Sequence, residues 1–227
     1  GLPYPVGRLV VITLTTYADA RDALRKRELR QALYDEGHRL MDGVIVNLHG
    51  AAHLDRRRLE NRLFRRDTFG WYERQRIPEI IDVVLAPYLD AGHGDLLHIA
   101  RRTMMLLSLD VAGVDRPDGT GEELDRLYAL MDRLARASTV AHATGDKAAV
   151  IADGDAALAE FAEQFFAPSL ARRRRLVEAW AAGALDEEEL PRDVLTTLLR
   201  NDDRLHLPPD TVLREVAYFP WVGSHST

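Results

Sequence analysis

The chain has 227 residues, 46% of them hydrophobic, and a formal net charge of −6. That content is ample for one domain with a sizeable core, and the mild acidity argues against bulk nucleic-acid binding. Because the chain holds no cysteine, disulfides, thiolate metal ligands and a cysteine nucleophile are excluded within it.

There is no apolar run of the roughly eighteen residues that a membrane span needs. Gly1-Leu-Pro-Tyr-Pro is not the basic start and apolar stretch of a signal peptide. A cytoplasmic protein fits these features. The chain does not begin with Met, and a fragment of a longer protein is expected.

In chain order, Leu9 to Thr15 is β-branched and apolar, and reads as a buried strand. Ala18 to Lys26 reads as a short helix. Residues 35–50 hold Gly37, Gly43 and Gly50 and predict a loop. His53 to Arg66 contains neither proline nor glycine and predicts a helix. His53 and Arg57 lie four apart on one face and form a paired donor site for a carboxylate or phosphate. Arg56, Arg58, Arg62, Arg65 and Arg66 spread over the other faces. A solvated Arg-rich helix is the simpler description of the same residues.

Trp71 to Asp90 predicts a helix that Pro78 and Pro87 should bend or restart. Asp95 to Ala112 is apolar nearly all round, which suits a central helix. Thr120 and Glu123 suggest a capping box, and Leu124, Leu127, Tyr128, Met131 and Leu134 keep helical spacing after it. Residues 141–155, with Gly145 and Gly154, read as a mobile connection. Leu158 to Phe166 marks an amphipathic helix interrupted near Pro168. The run Arg172 to Arg175 reads as a solvated helix face rather than a nucleic-acid patch. Glu187 to Leu199 is helical, and a last helix runs from Thr211 to Thr227 with Pro220 inside it. The whole predicts a mainly α single domain over residues 1–227 with a minor early β-strand.

The last helix carries Gly223 in its interior, where glycine costs about 1 kcal/mol relative to Ala. His225, Ser226 and Thr227 follow it. A titratable ring beside two hydroxyls suits proton relay, and a frayed polar helix end fits equally.

Taken in order, these stretches resemble the central part of a bacterial-type cytochrome P-450, a haem-thiolate monooxygenase. Val10 to Leu24 is similar to that family's early strand and second helix. His53-x-x-x-Arg57, followed by Asn61 and Phe64, is similar to the helix that binds the haem propionates. Leu207-Pro-Pro-Asp through Val222-Gly-Ser-His-Ser-Thr227 is similar to the long central helix with its Ala-Gly-x-acid-Thr-Thr signature. Val222, His225 and Ser226 depart from that signature, which leaves room for a peroxide-using variant.

The resemblance implies haem as cofactor, held by His53, Arg57 and Gly223, and proton delivery through His225, Ser226 and Thr227. It implies a small organic substrate near Leu40, Val44, Val46, Trp221 and Val222, and an acidic ferredoxin- or flavodoxin-type electron donor on the exposed arginines. The axial cysteine of such enzymes is not in this chain, so no metal ligand is assigned. A catalytically inactive helical binding protein that keeps the scaffold is the alternative. A helical transcription regulator fits the arginine clusters but not the net acidity, and no helix-turn-helix stands out.

Overall fold

The computed structural model describes residues 12–26 and 28–225. Chain contacts divide the protein into residues 1–32 and 33–227, and each unit is taken by itself. In the first, α1 (Tyr17–Leu24) is capped by Thr16, whose hydroxyl accepts from the Asp19 N–H at 3.1 Å. Of the predicted strand, residues 9–11 lie outside the described residues. Ile12 to Thr15 forms no ladder, and Ile12 and Leu14 are exposed. No strand occurs among the described residues, and the fold there is mainly helical.

The second unit begins with two short pieces, α2 (His38–Met41) and a 3-10 turn at Ile45–Asn47. The expected loop is therefore partly helical, and it is not superficial: Leu40, Met41, Val44 and Ile45 are buried. Next come α3 (Gly50–Glu60), a 3-10 turn (Asn61–Phe64) and α4 (Arg66–Trp71).

Pro78 and Pro168, two of the prolines predicted to break helices, are accommodated in the same way, whereas Pro87 lies inside an unbroken helix, Ile77–Ala91. A π-turn at Tyr72–Arg76 leads into α5 (Ile77–Ala91), which has Pro78 in its first turn. A second, at Ala162–Phe166, joins α8 (Lys147–Phe161) to α9 (Ala167–Ala181), which has Pro168 in its first turn. In each, the residue before the proline donates its N–H five residues back, Ile77 to Tyr72 and Ala167 to Ala162. The wider turn frees the carbonyl that the proline ring would strike and asks no N–H of the proline. The helix continues instead of stopping.

Helix α6 (Leu96–Ala112) is capped by Asp95 and ends on Gly113 at φ 86°. Val114 N–H bonds to the Leu109 carbonyl and Gly113 N–H to Asp110, a Schellman ending that only a residue tolerant of positive φ allows. Its C-terminal half is buried through Met105, Leu106, Leu109 and Ala112. Leu96 and Leu97 in its first turn are exposed, so only part of α6 is central.

Helix α7 (Gly121–Ser138) buries the predicted stripe of Leu124, Leu127, Met131 and Leu134. The Thr120 hydroxyl accepts from the Glu123 N–H. The Glu123 carboxylate reaches past Thr120 to the N–H groups of Asp118 and Gly119, so the capping box is made on one side only.

The chain completes with a 3-10 turn (Glu187–Glu189), α10 (Val194–Leu199), α11 (Asp202–Leu205) and α12 (Pro209–His225). Leu190-Pro191 separates the first two, which splits the single helix expected at 187–199. Helix α12 lies against α6 and α7, and α7 lies against α8. One core joins them through Met41, Leu109, Leu127, Met131, Phe161, Phe165 and Val216.

The expected mobile connection at 141–155 is reduced to 143–146, because Asp146 caps α8 through the N–H groups of Ala148 and Ala149. Gly154 lies inside α8, where a Cβ would sit 2.2 Å from Cβ of Ala137 in α7. Close helix approach, not flexibility, explains that glycine.

Candidate functional site

Helix α3 sorts its arginines by face. Arg56 turns inward and is 2% exposed. Its Nε donates to Glu60 Oε1 at 2.8 Å and its Nη2 to Glu215 Oε2 of α12 at 2.6 Å. The Ile45 N–H donates to the same Glu215 oxygen at 2.9 Å. This group ties α3 and the turn at Ile45 to the central helix.

Arg57, the next residue, points outward. It is exposed, with its guanidinium carbon 5.5 Å from the centroid of the Phe64 ring. His53, one turn earlier on the same face, is half-buried. Neither makes an ion pair with an acidic group among the described residues, whereas Arg58 pairs with Asp55 at 2.9 Å. The two residues lie four apart on α3, and neither has a carboxylate at ion-pair distance among the described residues. Arg62, Arg65 and Arg66 are exposed. Arg62 and Arg65 border a cleft of about 270 Å³ whose far wall includes Glu187, Arg192 and Arg200.

The other predicted site residues are distributed differently. Leu40, Val44 and Trp221 are buried members of the core, and Val46 and Val222 pack against it. They line none of the clefts described here, so their immediate role is packing. Tyr34 and Tyr218 meet Trp221 edge-on, with ring centroids 6.5 and 5.1 Å away.

Gly223 faces α6: a Cβ there would stand 2.1 Å from Ser108 Oγ and 3.0 Å from its Cβ. The close approach that this glycine permits is to a neighbouring helix. Ser224 Oγ donates to the Pro220 carbonyl at 2.6 Å within α12, and Tyr128 Oη of α7 donates to the Ser224 carbonyl at 3.3 Å. His225 ends the helix; its side chain, Ser226 and Thr227 lie outside the described residues.

Sequence reasoning missed a second buried ionic centre. Arg173, inside the run read as a solvated face, is 6% exposed. Its Nε donates to Asp193 Oδ2 at 3.1 Å and its Nη1 to Asp115, which Arg172 also reaches at 2.8 Å. Asp193 caps α10 through the Thr196 N–H at 2.6 Å. Burial pushes its carboxyl above the usual range, against the pull of Arg173 and the Thr196 N–H. A Cβ on Gly113 would meet that carboxylate at 2.7 Å.

Close by, Arg76 clamps Asp110 and reaches Glu79 at 2.8 Å. Tyr72 Oη donates to the Arg192 carbonyl at 3.3 Å. Burial raises that phenol first, and Asp110 and Asp193 raise it further. These groups wall a cleft of about 380 Å³, but each charge at its centre is already matched by another. Asp193, 20 residues after Arg173, gave a faint signal as an N-cap acid ahead of an apolar turn; nothing local marked Arg173.

Among the described residues, no group of three or more His, Asp or Glu is placed to hold a metal ion. No described helix is long and apolar enough to cross a membrane.

No protein-family model matches the chain, and no curated protein does. Among solved structures, the chain is similar to that of CalO2, with 18% identity and a TM-score of 0.64 over 92% of this chain and 50% of that one. The chain therefore spans half the length of CalO2, and at this identity the likeness shows the fold alone.

Proposed function

We propose that the chain is the carboxylate-gripping part of a haem monooxygenase of the cytochrome P-450 kind, acting on a small organic molecule. The observation that carries this reading is the behaviour of α3. Of two adjacent arginines, Arg56 is spent on internal carboxylates, while Arg57 is exposed one turn after His53 and makes no ion pair among the described residues.

Two cationic or neutral donors one turn apart match a pair of carboxylates on a flat ligand. His53 and Arg57 would hold the two propionates by charge-assisted hydrogen bonds, and Phe64 steadies the guanidinium from below. When bound, haem supplies the dioxygen chemistry. The thiolate that such proteins use must come from sequence other than this chain, which has no cysteine. Gly223 lends no support, because its open side is filled by Ser108. Exposed Arg62, Arg65 and Arg66 suit docking of an acidic ferredoxin- or flavodoxin-type donor, since complementary charge speeds encounter.

The test is spectroscopic, on the intact protein. A Soret band that moves to the thiolate position on carbon monoxide binding supports the reading. His53→Ala and Arg57→Ala should each weaken haem retention about ten- to a hundred-fold, the worth of a charged hydrogen bond. Arg58→Ala should leave it alone. Unchanged retention in the first two variants would remove the assignment.

A further inference from the structure

Arg56, Glu60 and Glu215 form a closed group that the proposed anion site does not use. Their side chains are 3%, 1% and 0% exposed. One guanidinium faces two carboxylates, so with both ionised the group would carry a net negative charge in the interior. Glu215 Oε2 is well served by Arg56 and the Ile45 N–H. Its other oxygen, Oε1, is buried and has no hydrogen-bond partner. A bare charged oxygen in a low-dielectric interior is far more costly than a neutral carboxyl with one idle hydroxyl.

We propose that Glu215 carries a proton on Oε1 at neutral pH, so that the contact joining α3, α12 and the turn at Ile45 is a proton-dependent latch. Ionisation puts the unmatched charge into the core and loosens all three elements at one point. The electrostatics agree with the geometry. Burial, then the Glu60 charge, pushes the Glu215 carboxyl up to about 8, against Arg56 and the Ile45 N–H. Burial also raises Glu60, opposed by Arg56 and Arg57. Tyr218, the next ionisable group on α12, is held up to about 12 by burial, Tyr34 and Glu215, so it stays neutral across the relevant range. The charged side chains that act on Glu215 most strongly, Glu60 and Arg56, both belong to α3; α6 and α7 present Ser108 and Tyr128 two turns further along α12.

The sign is set by which state holds the proton more tightly. The folded pKa lies above the ordinary 4.5. The contribution is therefore full below pH 4.5 and is lost as pH rises through about 8.

The test combines two measurements on the intact protein. Urea unfolding from about pH 5.5 to 9.5 should show the folded-to-unfolded ratio falling on the order of 10²–10³-fold as Glu215 ionises. Glu215→Gln keeps the neutral charge and the accepting oxygen, and should abolish most of that fall. Glu60→Gln removes the like charge and should move the inflection to lower pH. Infrared spectroscopy of the unaltered protein should show a protonated carboxyl band at pH 7 that fades as pH rises through about 8. The band serves even where the Gln variant fails to fold. Absence of any such band above pH 6, or a Glu215→Gln variant that keeps the full pH dependence, would overturn the proposal.

Discussion

Replacing Gly154 by Ala tests whether the α7–α8 contact is as tight as it stands. In an exposed helix the change should stabilise by about 1 kcal/mol, because Ala loses less backbone entropy on folding. Here the new Cβ would lie 2.2 Å from Ala137 Cβ and 3.1 Å from Leu40 Cδ1. Leu40 can rotate away. Ala137 Cβ is fixed to the α7 backbone, so only a separation of the helices restores the usual carbon–carbon contact of about 3.5–4 Å. Such overpacking costs about 1–3 kcal/mol, and the shortfall of more than 1 Å puts this site at the upper end. The expected net loss is about 2 kcal/mol by urea unfolding, or about 4–8 °C in Tm for a protein of this size. Ala137→Gly in the same chain removes the colliding atom and should recover most of the loss. A single Gly154→Ala variant as stable as the parent would refute the close-approach reading and restore the mobile connection expected from the sequence.

Neighbouring arginines of α3 should behave oppositely. Arg56→Ala strands the buried Glu60 carboxylate, leaves the Glu215 carboxyl without its donor and should cost about 3–5 kcal/mol, while Arg57→Ala should cost no more than about 1 kcal/mol, the worth of its stacking on Phe64. Equal effects by urea unfolding would contradict the sorting of that helix. Arg173→Met should also cost about 3–5 kcal/mol, since Asp193 and Asp115 lose their shared partner. Asp193, already raised by burial, rises further without Arg173, so that variant should recover stability as pH falls; a loss that is the same at every pH would contradict this.

Local patterns carried the helices because their evidence is local. The stripe from Leu124 to Leu134 needs only a 3.6-residue period to be recognised, and it is buried as that period requires. The His53–Arg57 pair was legible on the same grounds, since side chains four apart on a helix must share a face whatever surrounds them. Pro78 and Pro168 were legible as events but not as outcomes. A proline announces a missing N–H, yet whether the helix stops or takes up a π-turn depends on what holds both halves in place, and here Ile80, Val84 and Phe165, Phe166 are anchored in the core.

What escaped is everything whose meaning lies on another helix. Gly154 and Gly223 look alike in sequence to any flexible or ligand-facing glycine. Their roles are set by Ala137 and Ser108, 17 and 115 positions away. Arg173 and Arg174 are adjacent and chemically identical, but only the first points at Asp115 and Asp193. Glu215 shows this most sharply. It accepts hydrogen bonds from residues 159 and 170 positions earlier. A carboxylate and a guanidinium that far apart leave no periodic trace, because each lies on an ordinary amphipathic face until the chain folds. The strongest electrostatic constraints in this protein are therefore the ones that a one-dimensional reading is least equipped to find. The same holds for α3: spacing alone groups Arg56 with the outward arginines, and only Glu60 and Glu215 mark it as the inward one that holds the helix in place.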